Sequence, residues 1–148
     1  VYLHGVSDPG NVGAVLRSAQ AFGASSVVLG PGAADPYSPK AVRASMGAIF
    51  AVPVMPAAQV ADLPGSKIAL VAGAGVALAD VCDVNVGIRP QRDTPPATLL
   101  IGAEREGLPD ELVAQADHVA HIPIATNSLN AAMAATVALY ELTRMRAA

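Results

Sequence analysis

Apolar residues along this 148-residue chain alternate between short runs and helical stripes, with turn residues between them. Residues 1–6 (V-Y-L-H-G-V) read as a short buried strand. The turn cluster S-D-P-G-N-V-G then opens a helix with the stripe Val12, Val15, Leu16, Ala19 and Phe22. Arg17 points off that stripe, on the side of Ala14 and Ala21, and Gly23 ends the helix. S-S-V-V-L-G is a second strand, and the proline-rich connection 31–39 leads to a short basic helix carrying Lys40 and Arg43 one turn apart. A weak strand (A-V-P-V), a helical turn at 59–63 and a buried strand at 67–72 (K-I-A-L-V-A) follow. A further turn of helix falls at 77–81, a loop at 85–96, a buried strand at 98–102 and a helix at 109–116. The strand H-V-A-H-I should stop at Pro123, which cannot donate to a ladder.

The last helix follows Ser128, whose hydroxyl suits a helix cap. Leu129, Met133, Val137 and Tyr140 share one face at helical spacing, and Ala131, Ala134, Ala135 and Ala138 share the other. A helix apolar nearly all round is expected to be buried on both sides, with the preceding loop held tightly. The larger residues are expected in the core, and the alanine face against a second copy of the chain. Short strands alternating with helices predict one α/β domain over residues 1–148, with a mostly parallel sheet and helices on both faces. Ligands of such sheets sit beyond the carboxyl ends of the strands, which singles out loops 7–13, 102–107 and 122–130.

Composition sharpens this picture in three places. Hydrophobic residues reach 53% and charged ones only 14%, so the chain has either a large core or a surface covered by a partner. No apolar run reaches the ~18 residues of a membrane span, and Cys82 stands alone, so an intrachain disulfide is excluded and a cytoplasmic setting is expected. The net charge of −3 argues against non-specific nucleic-acid binding by the domain as a whole, but says nothing about local patches. The chain also opens inside its first strand, which points to a segment of something longer. His4, His118 and His121 are scattered without metal-ligand spacing, so no metal is expected.

Taken singly, the motifs have plain readings. D-P-G-N-V-G is a strand-to-helix turn, although its glycines also let a backbone approach a ligand and Asn11 offers an amide. G-A-E-R-E-G sets the carboxylate of Glu104 between two glycines after a strand. A-G-A-G at 72–75 lacks the third glycine and the downstream acid of a dinucleotide fingerprint.

Together, D-P-x-N-x-G-x-x-x-R, I-G-x-E-x-x-G-L and I-P-I…S-L-N-x-x-x-A resemble, in order, the three motifs of the SpoU/TrmH branch of the SPOUT RNA methyltransferases. S-P-K-A-V-R-A-S-M-G-A resembles the segment between the first two, so the likeness spans residues 1–146. It implies a deep trefoil knot at the C-terminal end, bound S-adenosylmethionine, a homodimer, and methylation of ribose 2′-hydroxyls in transfer or ribosomal RNA. The S-P-K-A-V-R segment leans toward the ribosomal members. Gly102, Ile122 and Leu129 match cofactor contacts, and Ala72 joins them as the end of a converging strand. Asn11, Arg17, Glu104, Ser128 and Asn130 match catalytic or substrate-side polar positions. Two departures stand out: four residues without glycine separate Pro123 from Ser128, fewer than is usual, and no separate RNA-binding domain precedes the first strand.

Two rivals follow. The short 123–128 loop leaves room for a cofactor- or RNA-binding module with weak or lost catalysis. A dinucleotide-dependent oxidoreductase fits the fold class but lacks the glycine fingerprint. The chemistry also constrains Arg17: a guanidinium is a poor base, so anchoring a phosphate beside the reacting hydroxyl suits it better.

Overall fold

The computed structural model describes residues 1–56, 59–82 and 96–144. Its strands are β1 (Tyr2–Leu3), β2 (Val27–Leu29), β3 (Val54–Met55), β4 (Ser66–Leu70), β5 (Val76–Ala77), β6 (Ala97–Ile101) and β7 (His118–His121). The helices are α1 (Pro9–Ala21), α2 (Pro39–Ser45), α3 (Leu78–Cys82), α4 (Asp110–Val113) and α5 (Ala131–Arg144), with 3-10 turns at Ala48–Phe50 and Val60–Asp62. The loop expected at 85–96 lies, apart from Pro96, outside the described residues.

The strands form one sheet in the order β3-β2-β1-β6-β4-β7-β5, and every pair is parallel. Alternation along the strands sends successive side chains to opposite faces, and so builds two cores. On one face Leu3, Val27, Ile68, Leu99 and Ile101 pack with Val12, Val15 and Leu16 of α1 and with Ala135 and Ala138 of α5. On the other face Tyr2, Val28, Ala69 and Leu100 pack with Val60, Leu63 and Leu108, and α4 lends Leu112 and Val113 to their edge. The α/β sheet with helices on both faces is the architecture the pattern predicts.

Two local contacts fix what lies above the sheet. Asp8 caps α1 through the Gly10 N–H at 2.6 Å, with Pro9 in the first turn, where its missing donor costs nothing. α2 then lies directly on α1 at Gly13. A β-carbon there would run into the Ala41 carbonyl oxygen and come within 2.7 Å of the Ala44 β-carbon and 3.0 Å of the Ser45 nitrogen.

The faces of α5 are the reverse of those expected from residue size. Ala131, Ala132, Ala135 and Ala138 are buried with Leu139, while Met133, Val137 and Tyr140 are exposed. The cause is proximity. α5 runs close enough to α1 for the Ser18 and Thr136 hydroxyls to meet at 2.6 Å, and only small side chains fit beneath a helix held at that distance. The loop before α5 is also open, with residues 123–128 all exposed.

Gly13→Ala is expected to push α2 off α1 and lower stability by about 1–3 kcal/mol, the usual range for overpacking, as measured by urea unfolding. Ala138→Asp should unfold the domain by burying a charge.

Candidate active site

The carboxyl ends of β4, β6 and β7 open into a cleft of about 410 Å³. Ala72, Gly102, Ile122 and Leu129 all line it, joined by Glu104 and Ser128. Gly102 is there because nothing larger fits. Its β-carbon would collide with the backbone of Gly107 and Leu108, which the following turn folds back over it. That turn is closed by the Gly107 N–H donating to the Ala103 carbonyl at 2.9 Å, with Gly107 in the left-handed region at φ 69°.

A second, more open groove runs between α1 and α5, lined by Asn11, Ala14, Asn130, Met133, Thr136 and Val137. Leu129 belongs to both hollows. On the wall between them stand three polar side chains drawn from three separate segments: the first turn of α1, the turn after β6 and the residue before α5. The Asn11 amide donates to Glu104 Oε1. The Asn130 amide donates to the same oxygen at 3.2 Å and to Asn11 Oδ1 at 3.0 Å. No described residue donates to Glu104 Oε2.

Asn130 is fixed in turn by the helix it begins. Its Oδ1 accepts from the Ala132 N–H at 2.9 Å and the Met133 N–H at 3.3 Å, and its carbonyl accepts from Ala134 at 2.9 Å. The cap of α5 is therefore Asn130 and not Ser128, which stands two residues before it, exposed on the cleft. A side chain that caps and also reaches Asn11 and Glu104 settles where the helix starts.

Of the expected polar residues, Ser128 lines the cleft without joining this cluster, and Arg17 reaches neither. Arg17 is exposed on α1, one turn beyond Ala14, and borders neither hollow directly. Asp8 is absent from the expected site residues, although the D-P-G-N-V-G turn is legible as an Asx cap and Asp8 fills that role. Its carboxylate accepts from Lys40 Nζ at 3.0 Å as well as from Gly10. The Lys40 hydrogen bond, then that of Gly10, holds the Asp8 carboxyl below its ordinary value. Lys40 thus sits beside the turn that carries Asn11.

Residues 1–140 match the SpoU rRNA Methylase family. The chain is similar to the 23S rRNA (uridine(2479)-2′-O)-methyltransferase of Streptomyces viridochromogenes, 38% identical over 95% of this chain and 50% of that protein. It is also similar to the 23S rRNA (guanosine(2553)-2′-O)-methyltransferase of Bacillus subtilis, 32% identical over 95% of this chain and 56% of that protein. The crystal structure of an AdoMet-bound rRNA methyltransferase from Sinorhizobium meliloti superposes with a TM-score of 0.83 at 34% identity, over 97% of this chain and 54% of that one. The chain spans about half the length of the curated relatives it matches.

Asn130→Ala is expected to lower stability by about 1 kcal/mol, as lost caps do, and Asn130→Ser to restore most of it without bridging to Asn11 and Glu104. Urea unfolding of both variants checks this. For Asp8 the depressed pKa means its contribution is present above the unfolded value and is lost as pH falls through the folded one. Lys40→Met should therefore move the Asp8 titration, followed by carboxyl NMR, to higher pH.

Proposed function

Because the chain belongs to the SpoU rRNA methylase family, we propose that it methylates a ribose 2′-hydroxyl of RNA from S-adenosylmethionine, with ribosomal RNA favoured over transfer RNA. The observation that carries this reading is the amide-braced Glu104 standing between a small-molecule cleft and an open groove. The relatives' action on 23S rRNA supports the choice of substrate. Residues 1–148 form the catalytic unit in this proposal.

The cleft suits the cofactor. Its volume lies within the ~300–1,000 Å³ usual for small-molecule sites, and Gly102 presents only peptide atoms to it. Ala72, Ile122 and Leu129 supply the remaining walls. When bound, S-adenosylmethionine supplies an electrophilic sulfonium methyl. Asn11 and Asn130 hold Glu104 by one oxygen and leave Oε2 to accept the proton of the ribose hydroxyl. Arg17 anchors a flanking phosphate in a two-pronged contact. Ser128 adds a hydroxyl on the cleft side. Most of the rate comes from aligning nucleophile and methyl.

A homodimer belongs to the same proposal, through the exposed face of α5. Met133 is 62% exposed, Tyr140 53% and Val137 41%, and Phe22 meets Tyr140 edge-on at 6.1 Å. Burying that face against a second copy removes apolar surface from water and brings Arg17 of α1 near the junction. The C-terminal knot is supported by strand order, since β7 lies between β4 and β5, both earlier in the chain. Among the described residues no helix is long and apolar enough to cross a membrane, and a cytoplasmic location is the setting proposed.

Transfer of labelled methyl groups to total RNA, with mass-spectrometric mapping of the nucleotide, tests the activity. Glu104→Gln is expected to cut turnover by about a hundred- to ten-thousandfold while calorimetry shows unchanged cofactor affinity. Arg17→Lys should also cripple turnover, because an ammonium cannot make the forked contact. Full activity in either variant removes that residue from the mechanism. Val137→Glu is expected to give a monomer by light scattering, and a persistent dimer would move the interface elsewhere.

A further inference from the structure

The segment from 36 to 61 holds no Asp or Glu, although the whole chain carries 12 acidic residues against 9 Lys and Arg. It includes α2 and the 3-10 turn after it, and its outer surface is unusual in three ways. Phe50 is 88% exposed, the highest value among the exposed large hydrophobics. Met46 is 71% exposed and has φ 50°, the one non-glycine residue among those described with a left-handed backbone. Arg43 is exposed, and no described residue pairs with it. A nearly bare phenylalanine gains nothing from folding, and strain retained at an exposed methionine points to a use for that surface.

These side chains follow one another along the chain. Lys40 is held by Asp8, beside the turn bearing Asn11. Arg43 is one helical turn further on, Met46 N–H donates to the Arg43 carbonyl at 3.2 Å, and Phe50 N–H donates to that of Gly47 at 3.1 Å. Close packing at Gly13 fixes α2 on α1, so this track keeps a constant relation to the site. A surface whose own segment supplies no acid, with Arg43 unpaired among the described residues and an exposed ring beyond it, matches single-stranded nucleic acid, with a phosphate for the arginine and a base for the ring.

We propose that this surface of α2 and its following turn holds the single-stranded RNA flanking the methylated nucleotide, with Arg43 on a phosphate and Phe50 stacked on a base. The proposal rests on the RNA-methyltransferase reading and adds a contact outside the Asn11–Glu104–Asn130 cluster. Stacking tolerates any base, so the track would supply grip and not sequence choice.

Fluorescence anisotropy with labelled oligouridylate and oligoadenylate of about 12 nucleotides, at low salt and without cofactor, tests it. Phe50→Ala is expected to weaken binding of both by roughly five- to a hundredfold, and Phe50→Tyr to restore it. Arg43→Ala should flatten the salt slope of log affinity by about 0.7, one single-strand phosphate contact. Thermal midpoint and S-adenosylmethionine titration should not change in any of the three. Unchanged affinity of Phe50→Ala for both oligonucleotides overturns the proposal, as does a wild-type chain that binds neither. If Phe50→Ala lowers the mass by light scattering and leaves RNA affinity intact, the surface belongs to a second copy, which also overturns it. A chain that grips RNA through Phe50 but titrates no S-adenosylmethionine keeps this surface and removes the methyltransferase reading.

Discussion

Parallel pairing throughout the sheet is the constraint from which the site follows. With every strand running the same way, the carboxyl ends of β1, β4, β6 and β7 lie along one edge. The loops leaving them cannot avoid one another. Asn11 and Glu104 are 93 residues apart and share a hydrogen bond because β1 and β6 end side by side, while Asn130, 119 residues from Asn11, is brought to them by α5 lying against α1. The cluster is exposed, so its bonds contribute little to global stability. Their effect is to hold one carboxylate at a chosen angle between the cleft and the groove.

The sheet's two cores show how the same pairing supports the site from below. Leu99 and Leu100 are adjacent in β6 and belong to opposite cores, so α1 and α5 on one face and α4 on the other press against the same strand. β6 ends at Ile101, immediately before Gly102. The floor of the cleft is thus the end of a strand buried on both sides, the most rigid place such a domain offers.

Most of the fold was legible because short apolar runs between glycines and prolines mark buried parallel strands well. The four positions expected to meet a cofactor all line one cleft, because parallel strand ends must converge. Two features of α5 were not legible. Helical spacing separates Ala135 and Ala138 from Met133 and Val137, but it does not say which stripe faces inward. The closeness of α1 decides that, and it depends on residues over a hundred positions away. The start of α5 was misread at Ser128 because serine and asparagine cap equally well, and the choice fell to Asn130 through its partners Asn11 and Glu104. Arg17 lies on the predicted side of α1, yet nothing in one chain draws it into the cluster.

The absence of a side chain at Gly102 has a consequence for how such a site responds to chemical pressure. An inhibitor that took its hydrogen bonds from peptide groups at that strand end would rest on atoms that no codon change can delete. Substituting Gly102 itself would drive a β-carbon into Gly107 and Leu108 and distort the turn that carries Glu104. Escape would then have to come from bulk added at Ile122 or Leu129, on the cleft walls, where the proposed cofactor would need the same room. Resistance and function would therefore be hard to separate at this position.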